Sequence, residues 1–261
     1  MTRQGESADT RTVNGEMLGS TATMSTPAVE VADLCKRYGD VQALDGVSFE
    51  VRRDEIFGLV GPNGAGKTTT LRTLATLLDR DGGTVTVAGN DVDAAPDAVR
   101  KAIRYLPEEA GSYDAMTGRQ FLAFVADFYE GDSGEMVARG VEIADLDDRI
   151  DDKTKEYSKG MGRKLLLGSA LMTDPELAIL DEPTSGLDVQ NARTVRDVIK
   201  EFPNDERGVL LSSHNMLEVE FLCDRVGLLN EGEIALEGTP EELMAEHDAQ
   251  NLEDVFVEVV A

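Results

Sequence analysis

An α/β fold is predicted by three observations in this sequence. Short apolar runs of strand length alternate with segments of helical period. One such run, Ile56 to Val60, passes directly into a glycine-rich turn that opens a helix. Another, Leu177 to Leu180, ends in two adjacent carboxylates. Continuous apolar runs of this kind belong to strands covered on both faces, and ligands of such sheets bind where the strands end.

Taken in order, residues 1–26 are polar and rich in Ser, Thr and Gly without sustained periodicity, and read as a disordered leader in which Met17 or Met24 is an alternative start. A β pattern begins at Val29 to Val31 and continues in Gly46 to Arg53, where Val47, Phe49 and Val51 alternate with polar residues. After the strand Ile56 to Val60 comes a helix from Lys67 to about Leu78. Val85 and Val87 alternate with Thr84 and Thr86 in a hairpin-like segment, followed by a short helix and a strand ending near Leu106. To this point the order is that of a mixed sheet.

Between about Gly111 and Asp152 the pattern turns helical, with Phe121, Leu122, Phe124, Val125 and Phe128 forming an apolar face, and the stretch reads as a helical insert. The α/β rhythm resumes with a strand at Leu177 to Leu180, a helix at Val189 to Phe202, a strand at Gly208 to Ser212 and a helix at Met216 to Cys223. Val226 to Leu229 and Glu233 to Leu236 flank the turn Asn230-Glu231-Gly232 as a hairpin. No internal repeat is present, so the 261 residues predict one principal domain, residues 27–245, with a short C-terminal tail over 246–261.

A hydrophobic content of 41% is enough to fill a core. No apolar stretch approaches the roughly 18 residues of a membrane-spanning helix, and no secretory signal opens the chain, so it is expected in the cytoplasm. Cys35 and Cys223 lack metal-ligand or redox spacing and read as small packed residues. Against 51 acidic residues stand 25 basic ones, of which only 8 are Lys, for a formal net charge of −26. Such acidity repels nucleic-acid backbones and excludes them as the main partner. Spread along the chain, it resembles the composition of proteins from salt-loaded cytoplasms.

Gly61-Pro62-Asn63-Gly64-Ala65-Gly66-Lys67-Thr68 fits the pattern G-x-x-x-x-G-K-[ST] and stands between a strand and a helix. Glycines let successive N–H groups turn onto phosphates, the helix start adds its positive end, Lys67 adds a compact charge, and Thr68 offers a hydroxyl to Mg²⁺. Thr69, next in the helix, is assigned to the same phosphate site. Where the strand 177–180 ends, Asp181 is placed to hold the metal and Glu182 to orient or deprotonate an attacking water. Two acids at a strand end are ordinarily just solvated; the P-loop in the same chain weighs toward the functional reading.

Leu180-Asp181-Glu182-Pro183-Thr184-Ser185-Gly186-Leu187-Asp188 resembles the Walker B strand and D-loop of ABC-type ATPases, and the resemblance extends over the chain from about Val29 onward. Further elements fall in that family's order: Tyr38 before the first glycine turn, Tyr105-Leu106-Pro107-Glu108 like the Q-loop, Tyr157-Ser158-Lys159-Gly160-Met161 like the signature, and His214 like the switch histidine. The resemblance implies a P-loop NTPase cassette with a RecA-like core, an antiparallel β-subdomain and a helical insert at about 111–156. It implies that Tyr38 stacks on adenine, that His214 donates to the γ-phosphate, and that Ser158 with exposed N–H groups near Gly160 forms an anion site closing on nucleotide held by a second cassette. Two departures stand out. Lys159 and Met161 replace the third and fifth residues of the commonest LSGGQ form, and Glu108 stands where the family usually has Gln, offering an oxygen to Mg²⁺ but adding negative charge beside the phosphates.

The implied activity is ATP hydrolysis with Mg²⁺, driving a separate transmembrane permease subunit from the inner face of the cell membrane through ATP-dependent pairing of two cassettes. The stretch Leu106 to Glu109, the signature and the end Leu252-Glu253-Asp254-Val255-Phe256 resemble ATP-binding subunits of ABC-2-type exporters. The competing class is a soluble ABC ATPase such as a cluster-assembly cassette. A P-loop kinase or GTPase leaves Ser158 to Gly160 and Asp188 without a role.

Overall fold

The structure, a computed structural model, describes residues 26–260. The predicted leader lies outside the described residues except for Thr26. Strand β1 (Val29–Tyr38) turns at Gly39-Asp40 into β2 (Val41–Val51), an antiparallel pairing longer than the sequence pattern indicates. Strand β3 (Ile56–Val60) leads through the glycine-rich loop into α1 (Lys67–Leu74). That helix stops four residues short of the predicted Leu78. Thr76 takes a left-handed φ of 59°, the Leu77 N–H reaches back to Arg72 O, and the Thr76 N–H reaches Thr73 O, the paired bonds that close a helix C-terminus. Strands β4 (Gly82–Val87) and β5 (Asn90–Asp91) complete a four-stranded sheet of order β2-β1-β4-β5.

Next come α2 (Pro96–Ala102) and β6 (Ile103–Leu106). The insert holds α3 (Gly118–Ala126), α4 (Ser133–Ala144) and two short 3-10 turns, Asp147–Asp151 and Thr154–Glu156. Thr117 and Gln120 begin α3 with a reciprocal capping box, which fixes where the insert's first helix starts. Then α5 (Lys159–Leu171), β7 (Leu177–Asp181), α6 (Val189–Glu201), β8 (Gly208–Ser213), α7 (Met216–Leu222), β9 (Arg225–Asn230) and β10 (Glu233–Gly238) follow. The β9–β10 loop is two residues, Glu231 and Gly232, both at positive φ, as a tight hairpin twisted with its strands requires.

The second sheet has six strands in the order β10-β9-β3-β8-β7-β6, parallel except for β10. Its alternation divides the core in two. Phe57, Leu59, Ile179 and Leu210 face the antiparallel sheet and α1, with Phe57 stacked on Phe49 at 5.3 Å. Ile56, Val60, Ala178, Leu180, Val209 and Leu211 face the helices on the other side. The C-terminal segment is more than a tail. Helix α9 (Leu252–Val260), after α8 (Pro240–Glu246), buries Leu252 and Val255 in that second core, and the Leu252 N–H donates to Glu220. Apolar residues at Leu252, Val255, Phe256 and Val259 give it one face to bury.

Candidate functional site

The register of the parallel strands sets the site. Val60 of β3 pairs with Ser213 of β8, and Asp181 of β7 pairs with Ser212, so the P-loop, the two carboxylates and the segment leading to His214 leave one sheet edge at one level. The cleft there, about 190 Å³, is lined by Asn63, Gly64, Gly66, Lys67, Thr68 and Thr69 of the loop and helix start and by Glu108, Asp181 and Glu182.

The loop is held by close backbone approach. At Gly61, with φ 155°, a Cβ would stand 2.1 Å from Leu229 O of β9, so no larger residue fits beside that strand. The Ala65 N–H donates to Pro62 O and closes the turn. Lys67 is buried at the start of α1, and its Nζ donates to Gly61 O at 2.7 Å and Pro62 O at 3.2 Å. Burial holds the Lys67 ammonium below the usual lysine range, against the opposing pull of Glu182, Asp181 and Glu108.

Asp181 accepts from Ser212 Oγ at 2.5 Å and from the Tyr105 hydroxyl at 3.2 Å. Desolvation, reinforced by Asp181, pushes the Tyr105 phenol up to about 12, so it remains a donor throughout the neutral range. Glu182 sits at a left-handed φ of 46°, a conformation that costs a non-glycine residue about 1–2 kcal/mol. Its N–H is fixed by Ser212, and its Oε1 lies 2.7 Å from His214 Nδ1. Burial raises the Glu182 carboxyl above the ordinary glutamate value, partly offset by His214 and Lys67 and reinforced by Glu108. The His214 ring is exposed and bound to Glu182 through Nδ1, which leaves Nε2 as its outward atom.

Glu108 is exposed after β6, and its Oε1 accepts from Ser185 Oγ at 3.1 Å, so the Q-loop carboxylate is tied to the D-loop segment. Thr184 Oγ1 is bonded to Glu218 of α7, and Asp188 caps α6 through the Asn191 N–H. Tyr38 ends β1 at 48% exposure, outside the lining of the phosphate cleft. Ser158 caps α5 by accepting from the Met161 N–H and is exposed. Gly160 departs from expectation. It is buried against the Asn191 side chain, 2.4 Å from where a Cβ would stand, so the surface at that helix start is formed by Ser158 and Lys159. Neither Ser158 nor Gly160 lines the chain's own phosphate cleft.

Sequence reasoning assigns no individual role to three residues at this site. Tyr105 and Ser212 orient Asp181, and Arg163 of α5 is buried between the loops that carry Glu108, Asp181 and Glu182. Strand patterning places Tyr105 and Ser212 beside the acids once register is known; nothing in the pattern of α5, where Lys164 stands next to Arg163, marks the arginine.

The chain resembles known proteins over most of its length. The ABC transporter family model matches residues 44–185. The linearmycin resistance ATP-binding protein LnrL of Bacillus subtilis (strain 168) is 36% identical over 218 residues, spanning 82% of this chain and 70% of the relative. The daunorubicin/doxorubicin resistance ATP-binding protein DrrA of Streptomyces peucetius is 36% identical over 242 residues, 88% of this chain and 73% of that one. A solved ATP-binding subunit of an ABC transporter superposes with a TM-score of 0.80 at 29% identity, covering 89% of this chain and 99% of that one. The glycine-rich loop, the buried Lys67 and the strained Glu182 all fall within the matched residues, and the chain belongs to the ABC transporter family, as an ATP-binding subunit that hydrolyses ATP.

Proposed function

We propose that this ATPase is the motor of an ABC-2-type exporter, working as two paired cassettes beneath a separate transmembrane permease subunit on the inner face of the cell membrane. The exporter reading is supported by the resistance functions named for its relatives. Among the described residues no helix is long and apolar enough to cross a membrane, so on this reading the path for cargo is built by another polypeptide. The observation that carries the pairing is the position of Ser158. It offers a helix-start hydroxyl outside its own chain's phosphate cleft, and a second cassette brings such a group to bound nucleotide.

Within each cleft we assign Lys67 and the loop from Gly61 to Thr69, through those of its backbone N–H groups that are not already engaged (Pro62 has none and that of Ala65 closes the turn), to the phosphates, Tyr38 to the adenine face, and Glu182 to the attacking water, with His214 holding Glu182 and turning Nε2 toward the γ-phosphate. With Nδ1–H donated to Glu182, a neutral ring leaves Nε2 as an acceptor; donation to phosphate requires the imidazolium. Thr68, Asp181 and Glu108 supply the hard oxygen donors that suit Mg²⁺. Among the described residues no cluster of three or more acidic, His or Cys side chains forms a metal cage, so the remaining ligands are water and phosphate oxygens. When bound, Mg²⁺ neutralises charge developing on the transferring phosphoryl group.

Gentle solubilisation of membranes from cells carrying the tagged chain tests this reading. A stoichiometric polytopic membrane protein in the eluate is the expected result. A soluble scaffold with an empty membrane fraction would replace the exporter with a soluble ABC ATPase.

A further inference from the structure

Arg163 is 7% exposed, and all three nitrogens of its guanidinium are engaged. Nε donates to Pro183 O at 2.8 Å, one terminal nitrogen donates to Pro107 O at 2.9 Å and Glu108 O at 3.3 Å, and the other donates to Asp181 O at 2.8 Å and Glu182 O at 3.1 Å. Five N–H groups thus meet five carbonyls, each from a residue in or beside the loops that carry the site carboxylates. No carboxylate takes part in these bonds. The arginine grips backbone, and the backbone it grips includes Glu182, whose left-handed φ is stable only where its surroundings over-determine it. Ser212 holds the N–H side of that residue, and Arg163 holds its carbonyl side.

The same side chain joins elements distant in sequence. Arg163 lies one turn into α5, whose first residues are Ser158 at the cap, Lys159 and Gly160. We propose that Arg163 is a positioning residue for ATP hydrolysis, holding the Glu108 and Glu182 backbones in fixed relation to each other and to the start of α5. A shift of α5 is then felt at Glu182 through one rigid fork. A lysine cannot replace it, because one ammonium has three donors and no planar fork to span carbonyls from two loops. The proposal rests on the reading that Glu182 and Asp181 serve hydrolysis.

The test uses full-length Arg163→Met and Arg163→Lys beside the unaltered chain, with thermal melting, ATP affinity, kcat and KM measured for each. Partners that orient metal ligands typically change activity by about 10–100-fold when removed, and the same scale is taken for Arg163. A kcat reduced by that factor in Arg163→Met is expected, with KM and ATP affinity within about threefold, because the P-loop contacts of Lys67 are untouched. Arg163→Lys should recover only part of the loss. Should Arg163→Met fail to fold, Arg163→Lys decides alone: kcat lowered with KM unchanged supports positioning, and unaltered kcat overturns it. Loss of activity that vanishes once corrected for the folded fraction also overturns it and leaves a fold staple. If the Arg163 variants match the unaltered chain while Glu182→Gln loses turnover, only this proposal fails; if Glu182→Gln also turns over normally, the assignment of Glu182 fails with it.

Discussion

Replacing Glu182 by Gln separates the chemistry of the site from its architecture. The substitution keeps Cβ, the left-handed φ of 46° and both Ser212 contacts to the N–H, and its amide oxygen can still accept from His214 Nδ1. What it removes is the negative charge. General-base assistance is worth about 10²–10⁴ in rate, or about 2.7–5.4 kcal/mol of barrier, and kcat should fall by that amount while ATP affinity stays close to that of the unaltered chain. Stability should move the other way. Burial holds the native Glu182 carboxyl above its unfolded value, so the folded state binds the proton more tightly and stability is lost as pH rises between the two values. At neutral pH the ionised Glu182 is therefore a destabilising group, and the neutral amide relieves it. Each 1 kcal/mol relieved raises Tm by about 2–4 °C in a domain of this size. The assays are steady-state ATPase, nucleotide titration and thermal melting at pH 7, with a pH–rate profile of the unaltered chain whose acid limb should lie above the ordinary glutamate value of 4.5. Undiminished turnover in Glu182→Gln, or a loss of turnover accompanied by a lower Tm, would refute the assignment.

Gly61→Ala drives a Cβ to 2.1 Å from Leu229 O, and such overpacking costs about 1–3 kcal/mol; a lower denaturation midpoint and weaker ATP binding are expected, and an unchanged pair of values contradicts the close approach of loop and β9. Tyr105→Phe leaves Asp181 with Ser212 as its remaining side-chain donor and should cost about 1.5 kcal/mol, read as a Tm lower by about 3–6 °C. A Tm equal to that of the unaltered chain would show that this bond contributes nothing. Raising salt from 0.1 M to 1 M shortens the screening length from about 10 Å to about 3 Å, so a chain of net charge −26 should melt at a higher temperature in the second buffer. Melting that is insensitive to salt would mean that self-repulsion is not what limits its stability.

The parts of this protein legible in the sequence are those whose determinants are local. The run Ile56 to Val60, the glycine spacing to Lys67 and the strand ending in Asp181-Glu182 each carry their pattern within a dozen residues, and the structure brings them to one edge. The hairpin at Glu231-Gly232 was legible for the same reason. What escaped was set by distant partners. The last turn of the predicted α1 is cut off because Thr76 adopts a left-handed φ, a conformation that threonine does not advertise. Helix α9 has an apolar face, but only the packing of α7 and α8 shows that it belongs to the core. Gly160 was expected beside exposed N–H groups, and Asn191, thirty-one residues away, packs against the side on which a Cβ would stand and buries the residue. Arg163 is the plainest case, since its five partners lie between 18 and 56 residues away and no periodicity joins them.

Glu108, Asp181 and Glu182 stand near two buried cations, Lys67 and Arg163, and neither cation is bonded to a carboxylate. Both are engaged by backbone carbonyls, with different consequences. Lys67 holds two carbonyls of its own loop, contacts that a phosphate oxygen can replace by movement of the lysine side chain alone. Arg163 holds five carbonyls across separate loops and has nothing to exchange. The site therefore divides its positive charge between an exchangeable contact for the ligand and a fixed one for the scaffold. Carboxylates still outnumber cations, so an incoming triphosphate meets repulsion that the loop N–H groups and Lys67 offset only in part. That imbalance is the physical reason for the proposed Mg²⁺ to accompany the nucleotide. Glu108 adds to the imbalance where glutamine would not, and its bond from Ser185 Oγ leaves that charge in place while tying it to the segment that follows Glu182.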